Sequence, residues 1–295
     1  MQFSNTQIEV IEFSPPDSLK LSMLDDMYVE RGTKEDWNKL HHLHYKSVER
    51  NDGGVAYYRC MHGDNLVGVV VFKTPDILSR ERHILFPKLK PTGSETTAGN
   101  KARMDLHINK YFQRITRTVT STMYRGCGAG YRMINLAARM HGLKYIEIVS
   151  AMSRYNQFVE KAGFTCVPEQ EPAYYQQSKD FLEERFSSNV EDLTALLEEY
   201  ESMHEKLKAL VLRDCQDYYY KISAREKTGS NQGKTVEDTV RNLSFKRVIS
   251  QILQVAFTRK KYGVYKNPDY ERELPERLPL SAFDKQPPNQ PLILV

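Results

Sequence analysis

The most informative run of residues in this chain reads Arg125-Gly126-Cys127-Gly128-Ala129-Gly130. Residues 115–120 before it alternate in polarity, which predicts a strand, and residues 131–141 after it carry apolar side chains at helical spacing. A glycine-rich turn between a strand and a helix gathers free backbone N–H groups at the positive end of the helix dipole. Glycine also leaves no Cβ in the way of a ligand. The run therefore predicts a site for a pyrophosphate group.

Two common phosphate-binding motifs do not fit this spacing. A P-loop is excluded because no Gly-Lys-Ser/Thr follows the glycines. A dinucleotide-binding fingerprint fits poorly, because the glycines do not lie in an opening βαβ unit and no acidic residue ends the next strand.

Residues 124–130 resemble motif A of the GNAT acyltransferase superfamily, whose Arg/Gln-x-x-Gly-x-Gly/Ala loop holds the pyrophosphate of acyl-CoA. Residues 144–150 then predict a strand, and residues 159–164 resemble the Tyr-Glu-Lys-x-Gly-Phe signature that closes the GNAT core. Gly163 is suited to end the last helix. The resemblance implies an α/β GNAT fold, with a mixed, splayed central sheet and helices on both faces.

The resemblance also implies an enzyme that transfers an acyl group from acetyl-CoA or another acyl-CoA to an amine. The loop would hold the pyrophosphate, and the end of the preceding strand would supply backbone contacts to the pantetheine arm. The cofactor-binding residues implied in this way are Val119, Thr120, Arg125, Gly126, Cys127, Gly128, Ala129 and Gly130.

An acyltransferase of this kind needs an acid for the leaving thiolate and a base for the amine proton. The acid of the family is usually a tyrosine directly before the Glu-Lys pair, but Val159 occupies that position here. Tyr155 lies one helical turn earlier and could act instead. A packing role for this aromatic ring is an equally good interpretation.

The segment His41-His42-Leu43-His44-Tyr45 is the second candidate site. His41 and His44 share one face of a predicted helix, where they could bind a metal, and one histidine could act as a base. His44 and Tyr45 are the candidates for contact with the acceptor. The alternative is a polar stripe on a helix with His44 partly buried.

A finer resemblance, within residues 34–165, is to GNAT-like domains fused to archaeal ABC-type ATPases and to the phage Mom-type proteins. Mom-type proteins modify adenine in DNA, and iron is implicated in that reaction. The resemblance would place His44, Tyr45 and Tyr155 in the active site and make DNA or another nucleic acid the partner. The matching residues are His44, Tyr45, Thr116, Arg117, Met152, Arg154, Tyr155, Asn156, Phe158, Glu160, Lys161, Ala162 and Gly163.

The charge distribution is compatible with both CoA and nucleic acid. The net charge is only +4, but residues 99–141 hold eight Lys or Arg residues and one acid. Arg117, Lys101 and Arg103 are the candidate contacts to a nucleic acid or other acceptor. A third hypothesis is a catalytically degenerate GNAT fold that serves as a binding module, which Val159 would favour.

Composition predicts three segments: a catalytic domain over 1–175, a helical extension over 176–267 and a Pro-rich tail over 268–295. Apolar spacing predicts one long helix over 189–223 and another over 236–255, which could pack on the domain or form a homodimer. A nucleic-acid clamp is the alternative role for them. Residues 73–108 are expected to form a long insertion loop, and Thr33 is expected to cap a helix over 34–48.

The chain of 295 residues contains no apolar run long enough for a transmembrane helix, so we expect no membrane partner. The N-terminal residues lack the apolar core of a signal peptide. Four widely spaced cysteines indicate neither a zinc site nor a disulfide framework, which favours a cytoplasmic location.

Overall fold

The structure is a computed structural model that describes residues 23–44, 54–77, 79–90, 98–154, 156–168, 171–227 and 231–294. The strands in these ranges are β1 (Met27–Gly32), β2 (Ala56–His62), β3 (Asn65–Lys73), β4 (Phe112–Thr120), β5 (Tyr145–Ser150), β6 (Thr165–Cys166), β7 (Lys261–Lys266) and β8 (Arg277–Pro279). The α-helices are α1 (Lys34–Leu40), α2 (Arg80–Leu85), α3 (Ala98–Tyr111), α4 (Ala129–Met140), α5 (Phe158–Lys161), α6 (Tyr175–Glu183), α7 (Leu193–Ser202), α8 (Glu205–Ile222), α9 (Val236–Thr239) and α10 (Phe245–Ala256).

The eight described strands form one sheet in the order β6-β7-β5-β4-β3-β2-β1-β8. The β4–β5 pair is parallel and the other pairs are antiparallel. Helix α4 packs on one face of the sheet over a core that includes Met133 and Leu136, and α1 covers the other face through Trp37. The predicted α/β class, with a mixed sheet, helices on both faces and a C-terminal helical region, is confirmed.

The sheet is splayed between β4 and β5. Their pairing begins at Phe112 and Tyr145 and stops at Ile115 and Ile148, although both strands continue beyond that point. The register of β4 against β3 shifts at the same level and leaves Thr116 as the extra residue of a β-bulge. Because a bulge bends the strand that carries it, β4 turns away from β5 there and a cleft opens between them.

One short element matches the sequence prediction: Thr33 caps α1 in a capping box with Asp36. Strands β2 and β3 form an antiparallel hairpin. Helix α1 ends at Leu40 and continues as a 3-10 turn over His41–Leu43, so it is shorter than the predicted helix.

The prediction of a long insertion loop over 73–108 is wrong. Helix α2 and most of α3 lie in that segment, with a 3-10 turn at Pro87–Leu89. Helix α3 lacks a clear apolar stripe in its described part, because Ile108 is buried whereas Leu106 is 72% exposed. Apolar periodicity therefore could not reveal it.

The two long helices predicted after residue 189 are each interrupted. Helices α7 and α8 are separated at Met203, whose extended backbone is followed by His204 as the N-cap of α8. In the same way Ser244 caps α10 and separates it from α9. The helices on either side of each break contribute to the same hydrophobic core, so the apolar residues keep their helical spacing across the break.

The helical region lies between β6 and β7 in the chain, and the sequence patterns did not predict the two strands that follow it. Strand β7 is flanked by β5 and β6, and β8 pairs with the outer edge of β1. The proposed division into domains and the homodimer stay predictions. No helix among the described residues is long and apolar enough to cross a membrane.

His141 follows the last residue of α4 and packs against the sheet. Its ring stacks on Phe72 at a centroid distance of 4.4 Å and meets the edge of Tyr58. Its Nδ1 atom is buried and has no hydrogen-bond partner among the described residues. Burial, together with the positive charge of Arg31, lowers the pKa of His141 to about 4.

The lowered pKa predicts a loss of stability in mild acid. The His141 imidazole is protonated near pH 6.5 in the unfolded chain and only near pH 4 in the folded protein. Its contribution to the free energy of unfolding is therefore constant above pH 7 and is lost as the pH falls. We expect it to lower the free energy of unfolding by about 2 kcal/mol between pH 7 and pH 5. Urea unfolding of the wild type and of a His141→Phe variant at both pH values measures this effect. Equal losses in the two proteins would contradict it.

Candidate active site

A cleft of about 480 Å³ opens where β4 and β5 separate. Strand β4 forms one wall and the end of β5 forms the other, and the glycine-rich loop with the start of α4 forms one end. Residues 152, 156, 158 and 161 contribute after β5. The predicted pyrophosphate loop and the splayed strands therefore belong to one site.

The wall formed by β4 presents backbone groups to the cleft. The Ser121 N–H donates to the Val67 carbonyl in β3, so residue 121 directs its backbone groups away from the cleft. Because these groups alternate in direction along a strand, Thr120 and Thr118 direct theirs toward the side of β5. In agreement, the Thr120 carbonyl accepts a hydrogen bond from Arg125 Nε at 3.2 Å.

Val119 and Thr120 were predicted together as pantetheine contacts, but the structure separates them. Thr120 lines the cleft, whereas Val119 is 4% exposed and packs beside Trp37 on the other face of β4. The Val119 carbonyl lies next to Gly68 in β3. Thr118 lines the cleft and was missed, although the alternation of the strand could have identified it.

The glycine-rich loop folds around two residues with positive φ. Gly126 has a φ angle of 86° and Gly128 one of 84°, and residues with a side chain rarely adopt such values. Gly128 is the N-cap of α4 and offers no side chain to cap the helix, so the first N–H groups of α4 have no side-chain cap. Ala129 and Gly130, the first two residues of α4, both line the cleft.

Two arginines hold the loop in place. Arg125 Nη2 also donates to the Leu43 carbonyl at 3.5 Å, so its guanidinium bridges the end of β4 and the segment after α1. Arg132 Nη1 donates to the Gly128 carbonyl, and its other nitrogens bind the Asp284 carboxylate. Cys127 was predicted in the pyrophosphate site, but its Sγ contacts the Tyr124 carbonyl at 3.0 Å and it does not line the cleft.

His44 and Arg117, the predicted contacts with an acceptor, both line the cleft. The His44 ring lies 6.0 Å from the Trp37 ring, and Arg117 Nη1 donates to the Thr116 carbonyl. Tyr45 and Tyr155 lie outside the described residues, so their roles stay predictions. Lys101 and Arg103 lie in α3, which leads into the start of β4 at the end remote from the glycine-rich loop.

Val159 lies at the position where the family signature has tyrosine, and it does not reach the cleft. It is 1% exposed and belongs to the core around α4. Phe158 and Lys161, on the other side of α5, line the cleft instead. The Val159 side chain therefore does not contact this cleft.

The structure gives no support to a metal site at the histidine cluster. His41 is exposed, its Nδ1 lies 2.7 Å from the Asn38 carbonyl oxygen, and it does not line the cleft. Among the described residues, no group of three His, Cys, Asp or Glu side chains is placed to hold a metal ion. Iron is thus unsupported.

No family model and no curated protein matches the chain. Two similar solved structures are a Bacillus subtilis acetyltransferase in complex with CoA and an agmatine N-acetyltransferase variant in its apo form. The first is 17% identical over 51% of this chain and 84% of its own, with a TM-score of 0.32. The second is 14% identical over 50% of this chain and 86% of its own, also with a TM-score of 0.32. Similarity at this level carries no weight for function, which has to be inferred from the geometry of the chain.

Proposed function

We propose that this protein is a GNAT-type N-acyltransferase that moves an acetyl or other acyl group from acyl-CoA to an amine. The observation that carries the proposal is the position of the uncapped start of α4 at one end of the cleft between β4 and β5. An extended ligand with an anionic head matches this arrangement, because the helix N-terminus favours the anion and the open strand edge offers hydrogen bonds to amides.

The residues of the site fit CoA in three respects. Positive φ at Gly126 and Gly128 lets the loop turn tightly into the helix. A Cβ on Gly130 would meet only Thr120 Oγ1, at 3.5 Å, so the space over this helical turn is open. The cleft volume of about 480 Å³ is within the usual range of about 300–1,000 Å³ for small-ligand sites.

Each part of the site then has a separate task. When bound, acyl-CoA supplies an activated thioester. The N–H groups at the start of α4 and the Arg125 guanidinium would hold the pyrophosphate, and the β4 edge at Thr118 and Thr120 would hold the arm. His44 lines the cleft on the proposed acceptor side, where its imidazole would accept the amine proton. Tyr155 is retained as the proposed acid.

A nucleic-acid acceptor with Mom-like chemistry is a finer hypothesis that no described contact favours. DNA binding that weakens steeply with salt, together with iron that is lost in a His44→Ala variant, would be needed to support it. A non-catalytic binding module with the same fold would bind CoA and transfer nothing to any amine.

Calorimetric titration of the full chain with CoA and with acetyl-CoA tests the assignment of the cleft, and release of free CoA from acetyl-CoA in the presence of an amine tests the transfer. We expect saturable, micromolar binding of both ligands, because both carry the same pyrophosphate and pantetheine arm. A chain that is folded by circular dichroism and binds neither ligand would contradict the assignment of the cleft.

A further inference from the structure

Thr118 carries a hydroxyl with no hydrogen-bond partner among the described residues. Its Oγ1 atom is buried, although Thr118 lines the cleft. In contrast, the Thr116 hydroxyl on the same strand donates to the Val71 carbonyl at 3.3 Å. Since nearly all buried hydroxyls in proteins have a partner, an unpaired one in a cleft wall points to a partner that a ligand supplies.

The position of Thr118 on β4 indicates which part of a ligand it would meet. Thr118 is paired with Val70, which belongs to the core under α4, so both side chains project toward that face of the sheet. Thr120 lies on the same face, and its Oγ1 lies 3.5 Å from the place of a Cβ on Gly130. Thr118 is therefore about 7 Å further along the strand, from the helix N-terminus toward the point where the strands separate.

We propose that the Thr118 hydroxyl binds the first amide of the pantetheine arm of CoA; this rests on the proposed function. In CoA that amide follows the phosphate oxygen after three carbon atoms, at roughly 5–6 Å for an extended arm. Together with a hydrogen bond of about 2.8 Å at the Thr118 end, this reach covers the roughly 7 Å along the strand from Thr120 to Thr118. A hydroxyl can donate to the amide carbonyl or accept from its N–H, so either orientation of the amide is served.

The buried position of Oγ1 does not prevent this contact. Rotation of the threonine side chain by about 120° around χ1 carries the hydroxyl to the position of the methyl group, moves the methyl group to the position of the Cβ hydrogen, and leaves the side chain staggered. The Thr118 hydroxyl makes no hydrogen bond with a described residue in its present rotamer, so the rotation breaks no hydrogen bond with those residues. Binding of the arm thus turns the hydroxyl of Thr118 into the cleft.

The test compares two ligands and two variants of the full chain by calorimetry. CoA contains the pantetheine arm, whereas adenosine 3′,5′-bisphosphate contains the nucleotide end without the arm and without the second phosphate of the pyrophosphate. We expect Thr118→Val to lower the affinity for CoA about tenfold and to leave that for the bisphosphate within twofold. Thr118→Ser keeps the hydroxyl and is expected to bind CoA within twofold of the wild type.

A stability measurement separates this role from a structural one. Because Thr118→Val removes an unpaired buried hydroxyl, the midpoint of thermal unfolding without ligand should rise by about 2 °C. Unchanged CoA affinity in Thr118→Val would overturn the proposal, and so would equal losses for both ligands. If the wild type binds CoA, these outcomes would overturn this proposal alone, whereas a wild type that does not bind CoA would overturn the proposed function as well.

Discussion

A Gly130→Glu variant is expected to bind CoA at least about 100-fold more weakly than the wild type and to remain folded. Gly130 is the second residue of α4, at the end of the cleft where the pyrophosphate is proposed to bind. A carboxylate about 4 Å from a phosphate charge costs about 4 kcal/mol at the effective dielectric constant of a protein surface, which is more than a 100-fold change. Calorimetric titration with CoA measures the loss.

The fold should tolerate this change, because glutamate is favourable in the first turn of a helix and replaces a glycine. The Cβ at position 130 meets nothing closer than 3.5 Å. Gly128 would give a less clear result, because φ is 84° there and a Cβ would lie 2.5 Å from Arg132 Nη1.

Gly130→Gln is the matched control, since it has nearly the same size and no charge. We expect it to bind CoA at least about tenfold more tightly than Gly130→Glu, and the difference should shrink as salt is raised. Wild-type affinity in Gly130→Glu would show that the start of α4 does not hold the pyrophosphate.

The part of the fold that was predictable from sequence is local in the chain. The glycine-rich loop, the strand before it and the helix after it lie within 30 residues, and their patterns are strong enough to define them. Gly126 and Gly128 have the positive φ that a turn built from glycine suggests. The mixed sheet then followed from the family resemblance.

The remaining part depends on contacts that no local pattern encodes. The bulge at Thr116, where β4 turns away from β5, arises from the pairing of β4 with β3 and has no signature in the local sequence. Strand β7 pairs with β5 although it lies more than 100 residues later in the chain. It begins and ends with lysine and contains two tyrosines, so its sequence resembles that of a surface segment. Val159 matches a motif in position, but its burial in the core removes the role that the motif suggests.

Glu147 is the centre of a buried charge network at the point where β4 and β5 separate. It lies in β5 opposite Arg114 of β4, one pair before the last paired residues. Glu147 and Arg82 are both 0% exposed and form an ion pair, Arg114 donates to Glu147 at 3.2 and 3.3 Å, and the Tyr262 hydroxyl donates to it at 2.6 Å. Burial and the charge of Glu147 raise the pKa of Tyr262, so this phenol stays a donor.

This network joins α2, β4, β5 and β7 directly beside the cleft. It ties β4 and β5 together one pair before the point where they begin to diverge. The other partners of Arg82 are the backbone carbonyls of Ile77 and Asp76, which carry no full charge. Glu147 is therefore the only charged partner of Arg82 among the described residues.

Glu147→Gln is expected to lower the free energy of unfolding by about 3–5 kcal/mol, because it leaves the Arg82 charge buried without a counter-charge. Urea unfolding at pH 7 measures the change. Asp76→Asn is the matched control, since Asp76 also pairs with Arg114 but its side chain is 76% exposed. An exposed pair contributes about 0–1 kcal/mol, so the control should lose no more than that. If both variants lost the same amount of stability, burial would not be what makes this network strong.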